Sequence, residues 1–78
     1  MPKLPQVSGK VVVKTLRKIG FREVSRKGSH IKLQRTKNNF TETVIVPDHR
    51  LLKKGTLRNG ILKPINLSVD DFLKLLKK

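Results

Sequence analysis

The dipeptide Gly28-Ser29 lies between two segments that favour β-strands, and it constrains the fold more than any other feature of the sequence. A two-residue hairpin loop of type II′ takes glycine at its first central position, because φ is positive there. This loop pairs residues 22–27 with residues 30–35 as antiparallel strands. The predicted register sets Lys27 opposite His30, and the pairs that follow are Arg26 with Ile31, Ser25 with Lys32 and Val24 with Leu33.

This register divides the side chains of the hairpin between two faces, because successive side chains of a strand point to opposite sides. The apolar face, which can pack on a helix, carries Val24, Ile31 and Leu33. The polar face carries Ser25, Lys27, His30 and Lys32. A slip of one residue would bury His30 and expose Ile31, so the hydrophobic pattern itself favours the predicted register.

Two capped helices are predicted near the ends of the chain. Ser8 is placed as the N-cap of the first helix, and Gly20 as the left-handed residue just past its end. Ser68 is placed as the N-cap of the last helix, which has acidic residues in its first turn and lysines in its last. Apolar residues recur at helical spacing in both segments, so each helix is expected to turn one side to the core.

A third strand is predicted between these helices. Residues 41–46 have the β-branched content of a strand, with Val44 and Val46 on the core side. Pro47 ends this strand because it has no N–H to donate to a sheet.

Residues 48–54 are predicted to form a loop anchored by Leu51 and Leu52. Thr56 is placed as the N-cap of a short helix that runs to about Lys63. The order of helix, three antiparallel strands and helices on one face predicts a two-layer α+β fold.

The chain has 78 residues and no cysteine. This length suits one two-layer core, so residues 1–78 are predicted to form a single domain. The absence of cysteine excludes a disulfide scaffold and any thiolate ligand or nucleophile. No apolar run reaches the length of a membrane span, and the first residues lack the apolar region of a signal peptide. We expect a soluble cytoplasmic protein with no small-molecule cofactor.

The charge balance is strongly basic, with 19 Lys and Arg residues against 5 Asp and Glu residues. Nucleic acid is therefore the expected partner. An ordinary solvated basic surface and a patch neutralised by an acidic protein are the alternatives. The only aromatic residues are 3 phenylalanines, too few for a base-stacking platform, so phosphate contacts and shape are the expected modes of binding.

Six short motifs occur in order along nearly the whole chain, and together they resemble the HicA toxin family. They are Ser8-Gly9 before the first helix, Gly20-Phe21 after it, Lys27-Gly28-Ser29-His30, Val46-Pro47-Asp48-His49, Gly55-Thr56-Leu57-Arg58 and Leu67-Ser68-Val69-Asp70-Asp71-Phe72. The resemblance implies a double-stranded-RNA-binding-domain-like fold, cleavage of mRNA, and a HicB antitoxin that masks the active site. The sequence departs from the commoner family pattern after Arg58, where residues 59–62 carry one residue more.

The resemblance implies that the histidine of the Gly-Ser-His motif, here His30, is catalytic. Metal-independent RNA cleavage needs a base for the 2′-hydroxyl proton, an acid for the leaving 5′-oxygen, and positive charge near the phosphate in the transition state. Histidine exchanges a proton near neutral pH, and lysines neighbour His30 in the predicted register. An exposed strand residue without a function is the alternative.

The other candidate site residues are polar or basic and lie in the turn, the strands and the short helix. The predicted RNA contacts are Lys27, Ser29, Lys32, Arg35 and Arg58. The Ser29 hydroxyl can bind phosphate or can simply fill the turn. His49 follows Pro47-Asp48 in a loop, and a structural or antitoxin-binding role is preferred for it to catalysis. Two histidines without a dense carboxylate cluster do not suit a metal ion, so no metal is predicted.

Three functions compete on this reading of the sequence. The first is a toxin that acts as an mRNA endoribonuclease, and the second is a non-catalytic RNA-binding module that uses the same basic surface. The third is a DNA-binding helix-turn-helix built from residues 57–63 and 68–76. This third function is the weakest, because Asp70 and Asp71 would occupy the N-terminal end of the recognition helix, next to DNA phosphates.

Overall fold

A computed structural model describes residues 4–78, which form a three-stranded antiparallel sheet with helices on one face. The regular elements are helix α1 (Gly9–Arg17), strands β1 (Arg22–Lys27), β2 (His30–Lys37) and β3 (Phe40–Pro47), a π-helix (Thr56–Leu62), a 3₁₀ helix (Lys63–Ile65) and helix α2 (Val69–Leu76). The strands lie in the order β1-β2-β3. The predicted two-layer α+β fold is confirmed.

The hydrophobic core lies between the sheet and the helical layer. Ile31 and Leu33 of β2 face Val44 and Val46 of β3 across the sheet, and all four side chains are buried, as predicted. The helices cover this side of the sheet and contribute most of the remaining core. The largest fully buried side chains are Leu4, Leu16, Ile31, Leu33, Leu52, Leu57, Ile61, Leu62 and Phe72. No helix within residues 4–78 packs on the opposite side of the sheet.

The predicted turn and caps form as the sequence indicates. Gly28 has φ of +60° in the β1–β2 turn, and Lys27 pairs with His30. The Ser8 hydroxyl accepts a hydrogen bond from the Val11 N–H at 3.1 Å. The Ser68 hydroxyl accepts one from the Asp71 N–H at 3.0 Å. Both helix starts and the hairpin were therefore specified by local chemistry alone.

The predicted pairing of Val24 with Leu33 is wrong, because β1 contains a bulge. Glu23 lies opposite Leu33 and Ser25 opposite Lys32, which leaves Val24 without a partner and 42% exposed. Without the extra residue, alternation back from Lys27 would turn Phe21 away from the core. The bulge reverses the alternation and buries Phe21. Burying the larger aromatic side chain removes more apolar surface from water than burying valine would.

The helical segment that follows β3 differs from the prediction in its start and its geometry. It begins at Lys54 with a short α-helical turn, so Thr56 is not its N-cap and makes no capping hydrogen bond. Residues Thr56–Leu62 form a π-helix, in which the N–H of Lys63 donates to the carbonyl of Arg58, five residues earlier. A π-helix takes up more residues per turn than an α-helix, which allows Leu57 and Leu62, five positions apart, both to be buried.

The loop before this segment is anchored by one leucine rather than two. Leu52 is buried, and its N–H donates to the Val7 carbonyl at 2.8 Å. Leu51 is 61% exposed, so its predicted anchoring role is wrong. None of the helices within residues 4–78 has the length and apolar composition needed to cross a membrane.

Candidate functional site

The uncovered side of the sheet, called the open face below, presents His30 at the end of the β1–β2 hairpin. His30 lies between Lys27 of β1 and Pro47 of β3 in the strand register. One row further along, Lys32 lies between Ser25 and Ile45. His30 is exposed to solvent.

Acidic side chains are absent from the paired positions of the open face. The chain has five Asp and Glu residues. Glu23 and Glu42 lie opposite Leu33 and Arg35, on the helical side of the sheet. The others lie outside the strands, at Asp48, Asp70 and Asp71. The open face therefore combines a histidine with positive charge, and that charge comes from Arg22, Lys27 and Lys32.

Backbone hydrogen bonds tie the His30 turn to the end of β3, and the end of β3 to the start of α1. The Asp48 N–H donates to the Ser29 carbonyl at 2.6 Å, and the Gly9 N–H donates to the His49 carbonyl at 2.9 Å. In addition, Nη1 of Arg26 lies 2.9 Å from Oδ2 of Asp48. Three of the motifs identified in the sequence thus meet at one corner of the molecule.

Gly9 allows this corner to close. It is buried, and a Cβ added to it would overlap the carbonyl oxygen of Pro47. Only glycine permits so close an approach of α1 to the end of β3. Since Pro47 lies directly across the sheet from His30, the fit at Gly9 helps to set the position of the strand beside the histidine.

Three of the predicted RNA contacts lie around His30. Lys27 and Lys32 flank it on the open face, and Ser29 precedes it in the turn. Arg58 is exposed on the π-helix, within the helical layer, and so does not share a face with His30. The structure brings Lys27, Ser29 and Lys32 together with His30 and places Arg58 elsewhere.

Arg35 also points to the helical side, where protein atoms surround its guanidinium. Its Nε and Nη2 donate to Oε1 of Glu42 at 2.9 and 2.6 Å, and its Nη1 donates to the Ile19 carbonyl at 3.0 Å. The same group lies 4.6 Å from the ring centroid of Phe21. These contacts give Arg35 a role in packing, and its part in RNA binding stays a prediction.

The corner contains residues whose importance the sequence analysis missed. Gly9 was noted only as part of a motif, and Arg26 only as a strand residue, although Arg26 forms the ion pair with Asp48. No local signal reveals these contacts, because each joins residues far apart in the chain. His49 is exposed, and the bond to Gly9 uses its backbone carbonyl rather than its ring.

The side chains typical of metal sites are dispersed in this structure. Within residues 4–78, no three His, Asp or Glu side chains lie close enough together to hold a metal ion. The groups gathered near His30 are instead two lysines and a serine hydroxyl, which suit an anionic partner.

The fold and this site define a small α+β protein whose exposed histidine lies on a basic, uncovered sheet. A family model described as the HicA toxin of bacterial toxin-antitoxin systems matches residues 9–67. The match includes the hairpin, the corner and the π-helix, and the chain belongs to the HicA toxin family. No curated protein and no solved structure matches the chain.

Proposed function

We propose that the protein is the toxin of a toxin–antitoxin pair and that it cleaves mRNA as a metal-independent endoribonuclease, with His30 as the general acid and base. The observation that carries this proposal is the exposure of His30 on a face that has lysines and no acidic residue. Membership of the HicA toxin family supports the toxin role. We further propose that it acts in the cytoplasm, where its mRNA substrate is translated.

In the proposed reaction, the imidazole of His30 takes the proton from a ribose 2′-hydroxyl. The 2′-oxygen then attacks the adjacent phosphorus, and the bond from phosphorus to the 5′-oxygen breaks. The proton carried by the imidazole passes to the leaving 5′-oxygen, so the imidazole returns to its neutral form. Lys27 and Lys32 stabilise the negative charge that develops on the phosphate oxygens.

The predicted RNA contacts lie in three places. Lys27, Lys32 and the Ser29 hydroxyl surround His30 and are proposed to hold the phosphate that is cleaved. Arg58 lies in the helical layer and is proposed to contact RNA further along the strand. Arg35 is also proposed to contact RNA, although its guanidinium is bound to Glu42 and Ile19.

The histidine assignment can be tested with a matched control, because the chain contains only two histidines. We expect His30→Ala to lower the rate of RNA cleavage by about 10²–10⁴-fold, the usual contribution of a general acid–base group. We expect His49→Ala to retain cleavage, since the bond from Gly9 to residue 49 uses the backbone carbonyl and survives the substitution. Cleavage is measured on a labelled mRNA with purified protein, and folding is checked by circular dichroism.

Two results would contradict the catalytic assignment. One is cleavage by His30→Ala at the rate of the unmodified protein. The other is loss of cleavage in His49→Ala with its fold intact, which would assign the proton transfer to the other histidine. A substrate with a deoxyribose at the cleaved position provides a further control, because it should bind but resist cleavage.

A non-catalytic RNA-binding module is the second candidate, and the basic open face supports it equally well. The two functions differ in one measurement. If the unmodified protein binds mRNA and leaves it intact under conditions in which it inhibits growth, the binding module is the correct function.

The proposed protein partner is a HicB-like antitoxin that covers the open face. Such a partner is expected to be acidic where it contacts Lys27 and Lys32 and to block access to His30. The test is to purify the product of the adjacent reading frame and measure whether it forms a complex and stops cleavage.

A further inference from the structure

A second basic surface lies on the helical side of the molecule, in a groove between α1 and β1. Four cationic side chains line its walls, namely Lys10, Lys14, Arg17 and Arg26. Glu23 is the one acidic residue among those that line it, and the buried side chains of Val13 and Ile31 lie at its floor. None of these four cations belongs to the RNA contacts proposed above.

The cations of α1 form a stripe along the helix. Lys10, Lys14 and Arg17 are four and three residues apart, which places them on the same side of an α-helix. All three are exposed, and none forms an ion pair with another residue in the described range 4–78. With a rise of about 1.5 Å per residue, neighbouring cations of the stripe begin roughly 4.5–6 Å apart along the helix axis. A row of this kind can contact successive groups of a linear polyanion.

The composition of the groove suits RNA better than a protein. The centres of protein interfaces are depleted in lysine and enriched in aromatic side chains. Here the apolar residues are buried at the floor and the exposed walls are lysine and arginine. The exposed apolar side chains of the molecule, such as Phe40 and Leu51, lie outside the groove.

The groove is continuous with the His30 site across the edge of the sheet. Arg26 lines the groove, and the next residue, Lys27, lies beside His30 on the open face, because successive residues of a strand alternate sides. Strand β1 is an edge strand, so no further strand separates the two surfaces. Lys10 also borders the depression that contains His49 and Arg50, at the corner next to the turn.

We propose that the groove between α1 and β1 binds the backbone phosphates of RNA that flanks the cleaved bond. This inference rests on the proposed function for the identity of the polyanion. The substrate strand passes from His30 over the edge of β1 at Lys27, beside the ion pair of Arg26 with Asp48, and then follows the stripe of α1. The stripe holds the substrate, while the chemistry stays with His30.

The test compares two triple variants in a protein that carries His30→Ala, so that the RNA stays intact. The groove variant carries Lys10→Ala, Lys14→Ala and Arg17→Ala. The control removes the same charge from the C-terminal end of α2, whose lysines do not line the groove, with Lys74→Ala, Lys77→Ala and Lys78→Ala. Binding of a fluorescein-labelled single-stranded RNA of mixed sequence is measured from 50 to 300 mM KCl, and circular dichroism checks both folds.

We expect the groove variant to bind more weakly and to lose about 2 from the slope of log affinity against log salt, because each phosphate contact with a single strand contributes roughly 0.7. The control should keep nearly the full slope. Equal slopes in the two variants would overturn the proposal and leave the stripe to an acidic protein partner. Because binding is measured without cleavage, this outcome is independent of whether the unmodified protein is a nuclease.

Glu23→Gln provides a second test with the opposite sign. It removes the negative charge that lines the groove, so RNA should bind about twofold more tightly at low salt. This tighter binding can be measured even if the triple groove variant fails to fold, because Glu23→Gln leaves the three cations of α1 in place. Unchanged or weaker binding by a folded Glu23→Gln protein would contradict the proposal.

Discussion

Among single residues, Gly9 is the one that allows α1 to approach the backbone of Pro47 closely, and any residue with a Cβ would prevent this contact. The backbone of Pro47 occupies the space that a Cβ at position 9 would need, and the Gly9 N–H is bonded to His49. Gly60 offers a contrast, because a Cβ there would meet no atom within 4 Å. The same substitution by alanine is therefore expected to destabilise the protein at Gly9 but not at Gly60.

We expect Gly9→Ala to lower the free energy of unfolding by about 1–3 kcal/mol, as overpacking does elsewhere. Gly60→Ala should leave it unchanged or raise it by up to about 1 kcal/mol, because alanine is the better helix former. Urea denaturation of both variants measures the two changes. If Gly9→Ala leaves the free energy of unfolding unchanged, α1 can move away from β3 without loss of stability.

Arg35 was predicted to bind RNA, but its guanidinium forms an ion pair with Glu42. Arg35→Met would leave the half-buried Glu42 carboxylate without its partner, and we expect a loss of roughly 1–3 kcal/mol in stability. RNA affinity at a temperature where the variant is folded should change less than in Lys32→Ala. A variant that keeps its stability and loses RNA binding would restore Arg35 to the binding surface.

At the scale of elements, the π-helix explains how an unusual apolar spacing reaches the core. Leu57, Ile61 and Leu62 are all buried. In an α-helix, a residue five positions further on is turned about 140° away, so Leu62 would leave the side that Leu57 occupies. The wider turns of a π-helix bring all three to one side.

Deleting Asn59 should convert this segment into an α-helix. The deletion changes the apolar spacing to three and four residues, which is the α-helical pattern, and we expect a folded protein of equal or greater stability. Deleting Lys14 from α1 serves as the control, because it turns Leu16 about 100° relative to Val12 and should unfold the protein. Circular dichroism and thermal melting distinguish the two. An unfolded Asn59 deletion would mean that the π-helix is required.

The elements of the fold differ in how well the sequence could predict them. Caps and tight turns depend on a few adjacent residues, so Ser8, Ser68 and the Gly28 turn were placed correctly. The bulge at Val24 depends on a competition between Val24 and Phe21 for the core, which the alternation of polar and apolar residues within β1 does not show. The aromatic residue Phe21 just before β1 and the spacing of Leu57, Ile61 and Leu62 were the signals that the sequence offered for the bulge and the π-helix.

Only part of the candidate site could likewise be predicted from the sequence. The His30 face followed from the hairpin register, which the turn sets locally. The contacts of Gly9, Arg26 and Asp48 are tertiary and could not be read from neighbouring residues. Arg35 and Glu42 could have been paired in advance, because a two-residue turn at Asn38-Asn39 sets them directly opposite each other.

The molecule as a whole carries a large excess of positive charge. The formal net charge is +14, and the two ion pairs found within residues 4–78, formed by Asp48 and Glu42, neutralise two arginines. The remaining cations repel one another, which destabilises the compact state and favours a polyanionic partner.

Salt should therefore have opposite effects on stability and on binding. Raising KCl from about 50 to 300 mM screens the repulsion between cations, and the melting temperature of the protein alone should rise. Over the same range, the affinity for RNA should fall steeply, because releasing counterions from the RNA is less favourable at higher salt. Parallel thermal melts and binding titrations check both signs. An affinity that ignores salt would argue against phosphate contacts.

The bond from the Asp48 N–H to the Ser29 carbonyl has a consequence for how the protein is made. The turn that carries His30 is synthesised early. Asp48, which holds this turn from the end of the neighbouring strand β3, follows almost twenty residues later. A ribosome that stalls before residue 48 releases a fragment without that support. Under the proposed function, we expect such a fragment to lack toxicity, because it also ends before the core residues Leu52, Leu57 and Phe72.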